Sequence, residues 1–246
     1  MSTGEMPDLA QVPGAALLEL VAIMDRLRTE CPWDARQTHE SLVPYLLEET
    51  YETLETIERG DVAALRGELG DVLLQVLFHS RIAAERTDGT GFTIDDVAAD
   101  IADKLVRRHP HVFADVSVSG AEEVKRNWET IKAEERAAAG GGQASALDGV
   151  PMSQPALSLA AQLQRRASAA GAPSGLADLS DADPQATVGR ASPIGAELFS
   201  LVAKAREAGV DPELELRRAA QVFRDRFQAW ERSSSGDDSD SGQPHR

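Results

Sequence analysis

Five carboxylates fall in two short motifs, Glu48, Glu49 and Glu52 in EETYE and Glu68 and Asp71 in ELGD, within an otherwise apolar run from Tyr45 to Arg81. On a helix, Val43, Leu46, Leu47, Thr50, Leu54 and Ile57 form one apolar stripe. Glu48, Glu52 and Glu55 then lie opposite, with Glu49 on the flank, and taken alone this is a solvated acidic face. The second motif changes the reading. Leu69 to Phe78 is apolar on every side, as in a helix surrounded by other helices, and Asp71 lies inside it, three residues from Glu68. A carboxylate buried without a partner is costly, and acids at helical spacing repel rather than relieve one another. Lys is absent before Lys104, and Arg66 and Arg81 only flank the motifs. A divalent cation is the economical neutraliser: hard cations take oxygen ligands, and Mg²⁺ uses a few carboxylates while keeping positions for water and phosphate. Gly67 and Gly70, each about 1 kcal/mol worse than Ala inside a helix, are read as permitting close approach, of a ligand or of a packed helix.

The elements that must position these acids are helices. Aromatic residues are only 4% of the 246, so the core is expected to be Leu, Val, Ile and Ala, and period-two runs of Val and Thr are missing. The fold class is all-α. A formal net charge of −16 disfavours stable nucleic-acid binding and anionic membrane surfaces. Cys31 is the single cysteine, which rules out an internal disulfide framework. No stretch approaches the length of an apolar membrane span, and the first residues lack the pattern of a secretory signal, so a cytoplasmic location is expected.

Helical patterns run over Ala15–Glu30, Val43–Glu58, Val62–Glu85, Ile94–Arg108 and Ala121–Ala138, separated by loops holding Pro32, Pro44, Gly60, Asp88 to Gly91 and Pro110. Asp34 and Thr38 are candidate caps. The expected domains are an N-terminal tail at 1–14, a catalytic helical domain at 15–139, a glycine-rich linker at 140–152, a second helical domain at 153–232 and a disordered tail at 233–246. Ala170 to Pro193 reads as flexible. A faint repeat aligns Leu69–Arg81 with Ile194–Arg206 without a gap, with Ala196 in the place of Asp71 and Pro193 in that of Glu68.

The segments CPWDARQTHESLVPYLLEETYE, RGELGDVLLQVLFHSR, DKLVRRHPHVF and NWETIKAEER closely resemble the MazG family of all-α nucleoside triphosphate pyrophosphohydrolases. The resemblance covers nearly all of Leu20 to Pro155, and E-E-x-x-E paired with E-x-x-D is specific to that superfamily. It implies a helical-bundle domain that dimerises, with an active cleft completed by the second copy. It further implies hydrolysis of an NTP or dNTP between the α- and β-phosphates, dependent on Mg²⁺ or Mn²⁺, giving monophosphate and pyrophosphate in nucleotide-pool house-cleaning.

Carried over by residue, the resemblance makes Glu49, Glu52, Glu68 and Asp71 metal ligands and Glu48 the group that orients or deprotonates the attacking water. Lys104, Arg107 and Arg108 match the basic helix that contacts the triphosphate, although cations before Pro110 also complement the helix dipole. Trp128 and Lys132 match positions linked to the nucleotide, while Val124, Trp128 and Ile131 also make a plain amphipathic stripe. Trp33 is read as pinning its loop, and His109 and His111 as parts of a structural turn.

The second domain departs from the family pattern. Its first acidic helix is deleted across Ala170 to Pro193, the acids of the next are replaced, and Val222 and Asp225 stand where a Lys and an Arg would align. It is therefore expected to bind no Mg²⁺ and to serve packing, dimer contacts or regulation. Two other readings differ in class. A non-catalytic sensor would bind metal and nucleotide without turnover. A di-iron bundle needs Glu-x-x-His pairs, and none of the five His has Glu three residues before it.

Overall fold

A computed structural model describes residues 14–139, 145–179 and 191–236, and every regular element among them is helical. The expected N-terminal tail up to residue 13, the linker glycines, residues 180–190 of the stretch read as flexible, and the tail from residue 237 lie outside the described residues. The chain divides into two compact units, Met1–Val118 and Ser119–Arg246.

The first unit holds α1 (Ala15–Glu30), α2 (His39–Arg59), α3 (Val62–Ala83), α4 (Ile94–Arg108) and the single turn α5 (Pro110–Phe113), with a 3-10 turn at Asp34–Arg36. α2 starts four residues before the sequence pattern suggests, and Pro44 lies inside it rather than in a loop. The reason is a capping box. Ser41 N donates to Thr38 Oγ1 at 3.2 Å and Thr38 N donates to Ser41 Oγ at 2.9 Å, so the helix is nucleated upstream of the proline. Gly60 ends α2 at φ 68°, a left-handed cap that a side chain would strain, and Asp61 at once caps α3 by accepting from Ala64 N. This tight reversal lays α2 against α3, the most extensive helix pairing in the chain.

Met24, Leu42, Leu77 and Phe78 form the core of this unit, joined by Leu20, Leu73, Leu74 and Ile94. Arg28 locks its periphery. Its fork donates to both Glu85 oxygens at 2.8 and 2.9 Å, and Nη1 donates to the Gln37 carbonyl at 3.0 Å and to the Asp34 carbonyl, joining the end of α1 to the loop and to the end of α3. Trp33 packs edge-on against Tyr45 and Phe78, as a residue pinning its loop would. His109 accepts the part of a turn residue, with Nδ1 2.6 Å from the Leu105 carbonyl.

The second unit holds α6 (Ala121–Ala139), α7 (Ala156–Ala169), a 3-10 turn at Ser174–Ala177, α8 (Pro193–Glu207) and α9 (Pro212–Gly236). α6 is grouped here, although its sequence motif reads with the first domain. α7 packs on α8 and α9 around Ala161 and Val202. Val150, read as linker, is buried in this unit, and α9 continues past Arg232 to Gly236.

Loss of the α2 capping box should be felt globally. Thr38→Ala is expected to destabilise the protein by about 1 kcal/mol without changing its helical spectrum, measured by chemical denaturation followed by circular dichroism.

Candidate functional site

The face that α2 turns to α3 is not the apolar stripe. Leu42 and Thr56 are buried and Leu46, Glu49 and Thr53 are half-buried, a series spaced at alternating four and three residues. Val43, Leu47 and Ile57, expected in the core, are 48%, 52% and 55% exposed. Relative to the sequence reading, the helix is rotated so that Glu49 moves from the flank onto the seam. Hydrophobicity alone does not show this, because three of the five residues on the inward stripe are Thr or Glu.

Across the seam, Glu49, Glu68 and Asp71 converge, each offering a carboxylate oxygen within 4.8 Å of the others. Asp71 is exposed rather than enclosed by apolar neighbours, so the cluster opens to solvent on the α3 side. Partial burial pushes the Glu49 carboxyl above its usual range, and the charges of Asp71, Glu52, Glu48 and Glu68 add to the shift. Glu52 is also raised, by desolvation, by the charges of Glu68, Glu48 and Asp71, and by a hydrogen bond with Glu68. Among the described residues none of the five acids makes an ion pair with Lys or Arg, whereas Glu55, next on the same helix, is paired with Arg59. An oxygen-only donor set, closely spaced and without a counter-cation, fits a hard divalent ion.

Gly67 and Gly70 do not serve close packing within the chain: a methyl at either would meet nothing within 4 Å. Each leaves open space on the same helix as Glu68 and Asp71.

The remaining site residues sit elsewhere. Lys104, Arg107 and Arg108 occupy the last turns of α4, which packs on α3. Trp128 and Lys132 lie on α6 of the second unit, where Lys132 Nζ stands 3.6 Å over the Trp128 ring centre and 3.3 Å from Glu129. Trp128 is exposed, so it is not the core residue its stripe suggests. One polar pair escaped the sequence reading: His39 and His79 stack with their Nδ1 atoms 2.8 Å apart, joining α2 to α3 beyond the acids. Their forty-residue separation left no local signal.

Comparison with known proteins gives a consistent picture. Residues 37–113 match the model of the MazG nucleotide pyrophosphohydrolase domain. A protein of Streptomyces cacaoi described as an uncharacterized 26.1 kDa protein is 46% identical over 233 residues, covering 92% of this chain and 90% of that one. The Escherichia coli K12 nucleoside triphosphate pyrophosphohydrolase is 42% identical over 236 residues, covering 87% and 86%. The Thermotoga maritima nucleoside triphosphate pyrophosphohydrolase/pyrophosphatase MazG is 42% identical over 233 residues, covering 89% and 86%.

The raised carboxyls carry a pH signature. A pKa raised by folding contributes stability that is present below the ordinary glutamate value of 4.5 and lost as pH rises through the folded value. In chelator, Glu49→Gln is therefore expected to melt above the wild type at neutral pH, with the difference shrinking as pH falls through that window. Equal melting temperatures across the range would show that the seam carries no repulsion.

Proposed function

The chain belongs to the MazG family of nucleotide pyrophosphohydrolases, hydrolases of triphosphate anhydride bonds, and from this we propose that it cleaves NTPs and dNTPs between the α- and β-phosphates with Mg²⁺. The observation that carries the reading is the convergence of Glu49, Glu68 and Asp71 from α2 and α3 with no counter-cation. Glu52, coupled to Glu68, completes the proposed ligand set. Mn²⁺, another hard cation, suits the same oxygens.

When bound, the ion neutralises charge on the phosphate oxygens and aligns water with the bond to be broken, leaving the protein little covalent work. The side chains then have separate tasks. Glu48, adjacent to the ligands but not counted among them, orients the water and accepts its proton. The water oxygen bonds to the α-phosphorus as the bridging oxygen departs with pyrophosphate, and no enzyme nucleophile is required. Lys104, Arg107 and Arg108 hold the triphosphate electrostatically. Trp128 and Lys132 contribute to nucleotide binding, the exposed indole offering a face on which a base can stack. Removing such triphosphates from the pool is the role proposed for the enzyme.

The exposed stripe of Val43, Leu47 and Ile57, together with Leu69, which is 52% exposed, supports a homodimer. The open space at Gly67 and Gly70, on either side of Leu69 in the sequence, leaves room for an approaching surface there.

Two measurements test this. With Mg²⁺ and a panel of NTPs and dNTPs, the expected products are monophosphate and pyrophosphate. Glu49→Gln, Glu52→Gln, Glu68→Gln and Asp71→Asn should each lower kcat/KM by roughly 10²-fold or more, and Lys104→Ala should act mainly on KM. Wild-type turnover in any of the four carboxylate variants sinks the assigned site, and metal-dependent nucleotide binding with no product indicates a sensor. For assembly, Leu47→Glu should shift the sedimentation coefficient from dimer to monomer; an unchanged value assigns the interface to another face.

A further inference from the structure

Each unit holds an arginine that reaches from one helix to another, and the two differ in what surrounds them. The alignment of Leu69–Arg81 with Ile194–Arg206 ends on an arginine in both copies. Arg81 Nε of α3 donates to Asp25 Oδ1 of α1 at 2.6 Å, and its Nη1 donates to Glu85 one turn on at 3.0 Å. Arg206 of α8 makes the corresponding reach to α7, but there Nη1 donates to the neutral Gln164 Oε1 at 3.3 Å. Four residues on from Arg206 stands Val210, where the first copy has Glu85. Both carboxylates that neutralise Arg81 are thus missing around Arg206, and the cation is retained.

Gln164 fixes this arrangement. It is only 5% exposed, and its Nε2 donates to the Phe199 carbonyl at 2.8 Å, which leaves Oε1 facing the guanidinium. The guanidinium has five N–H donors, and among the described residues the Gln164 contact is its one hydrogen bond and it makes no ion pair. Burial pushes the Arg206 pKa down, the Arg165 charge adds to this, and only the adjacent Glu207 opposes it. Arg206 borders a cavity of about 310 Å³ whose walls include Leu163, Ala167, Leu176, Leu179 and Phe199. That volume is at the lower end of small-molecule sites, and such sites combine apolar walls with a few convergent polar groups.

We propose that the cavity between α7, α8 and the Ser174–Ala177 turn binds a small monocarboxylate with an apolar body, its carboxylate on Arg206 and its hydrocarbon part against Leu163, Leu176 and Phe199. One guanidinium fork matches one carboxylate bidentately. Polyphosphates fit poorly, because the walls are apolar and Glu207 also lines the cavity. The site is independent of the acidic cluster, and its test is run in chelator so that the cluster holds no metal.

The test is thermal melting and calorimetric titration of the full chain with octanoate, 1-octanol, acetate and pyrophosphate as probes. Octanoate is expected to bind saturably and raise the melting temperature, and octanol, acetate and pyrophosphate to do neither at matched concentrations. Arg206→Gln should weaken octanoate roughly tenfold or more, the scale of losing a charge-assisted contact. Gln164→Glu sets a carboxylate against Arg206, as Asp25 is set against Arg81, so it should weaken octanoate as strongly; the amide donor to the Phe199 carbonyl is lost, so the unliganded melting temperature is expected to fall while the helical spectrum is kept. This second variant decides the matter if Arg206→Gln does not fold. No octanoate binding, octanol binding as tightly as octanoate, or unchanged affinity in Gln164→Glu each overturns the proposal. Pyrophosphate binding that is lost in the same variants would replace the carboxylate with a phosphate ligand.

Discussion

Mutual repulsion among the carboxylates on the α2–α3 seam is the constraint around which the first unit is built. Three oxygens within 4.8 Å of one another cannot all be ionised without cost, and the carboxyls of Glu49 and Glu52 are raised, first by desolvation and then by the charges of their acidic neighbours. What holds the seam together lies along the same helices. Leu42 is seven residues before Glu49, so on α2 the buried core begins about 10 Å from the acids, and on α3 Leu73 and Leu74 join it within one turn of Asp71. Arg28, gripping Glu85 with both arms of its fork, fixes the far end of α3. Apolar burial and one clamped arginine thus keep together two helices whose acidic edges repel, and the closely spaced carboxylate oxygens on the seam are of the kind that suits a hard cation.

The second unit repeats the cross-helix geometry with the charges redistributed. Ala196 is buried where the alignment has Asp71, so a carboxylate there would be desolvated with nothing to neutralise it. Around the conserved place of the arginine the exchange runs the other way, since the carboxylates are gone and the guanidinium stays. One unit therefore gathers carboxylates that make no ion pair among the described residues, and the other keeps an arginine that makes none there and is favoured only by the charge of the adjacent Glu207. A repeat can lose its first chemistry and retain a framework able to hold a different ligand.

Much of this was legible along the chain. The motifs of acids, the helical class and the positions of α1 and α4 follow from composition, spacing and capping residues, all local properties. The misreadings share a cause. The apolar stripe that includes Val43, Leu47 and Ile57 points to a buried face, because apolar side chains are expected inside, yet these three are exposed and Thr53, Thr56 and Glu49 are the more buried. Pro44 suggested a loop because a lone proline disfavours helix, whereas the capping box at Thr38 outweighs it. For Gly67 and Gly70, which allow close approach of either a ligand or a packed helix, the open space beside them leaves the first of the two.

The sequence by itself determined the inventory: which acids exist, at what helical spacing, with how few cations nearby, and that the chain would be helical. Those are consequences of covalent order and local propensity. Only the tertiary structure decided which acids meet, since the rotation of α2 that brings Glu49 to Glu68 and Asp71 depends on how one helix seats on another. The same holds for Arg206. Its residue type is plain in the sequence, but that it faces Gln164 beside a cavity instead of a carboxylate depends on packing between two helices, which brings together residues 42 apart in the chain.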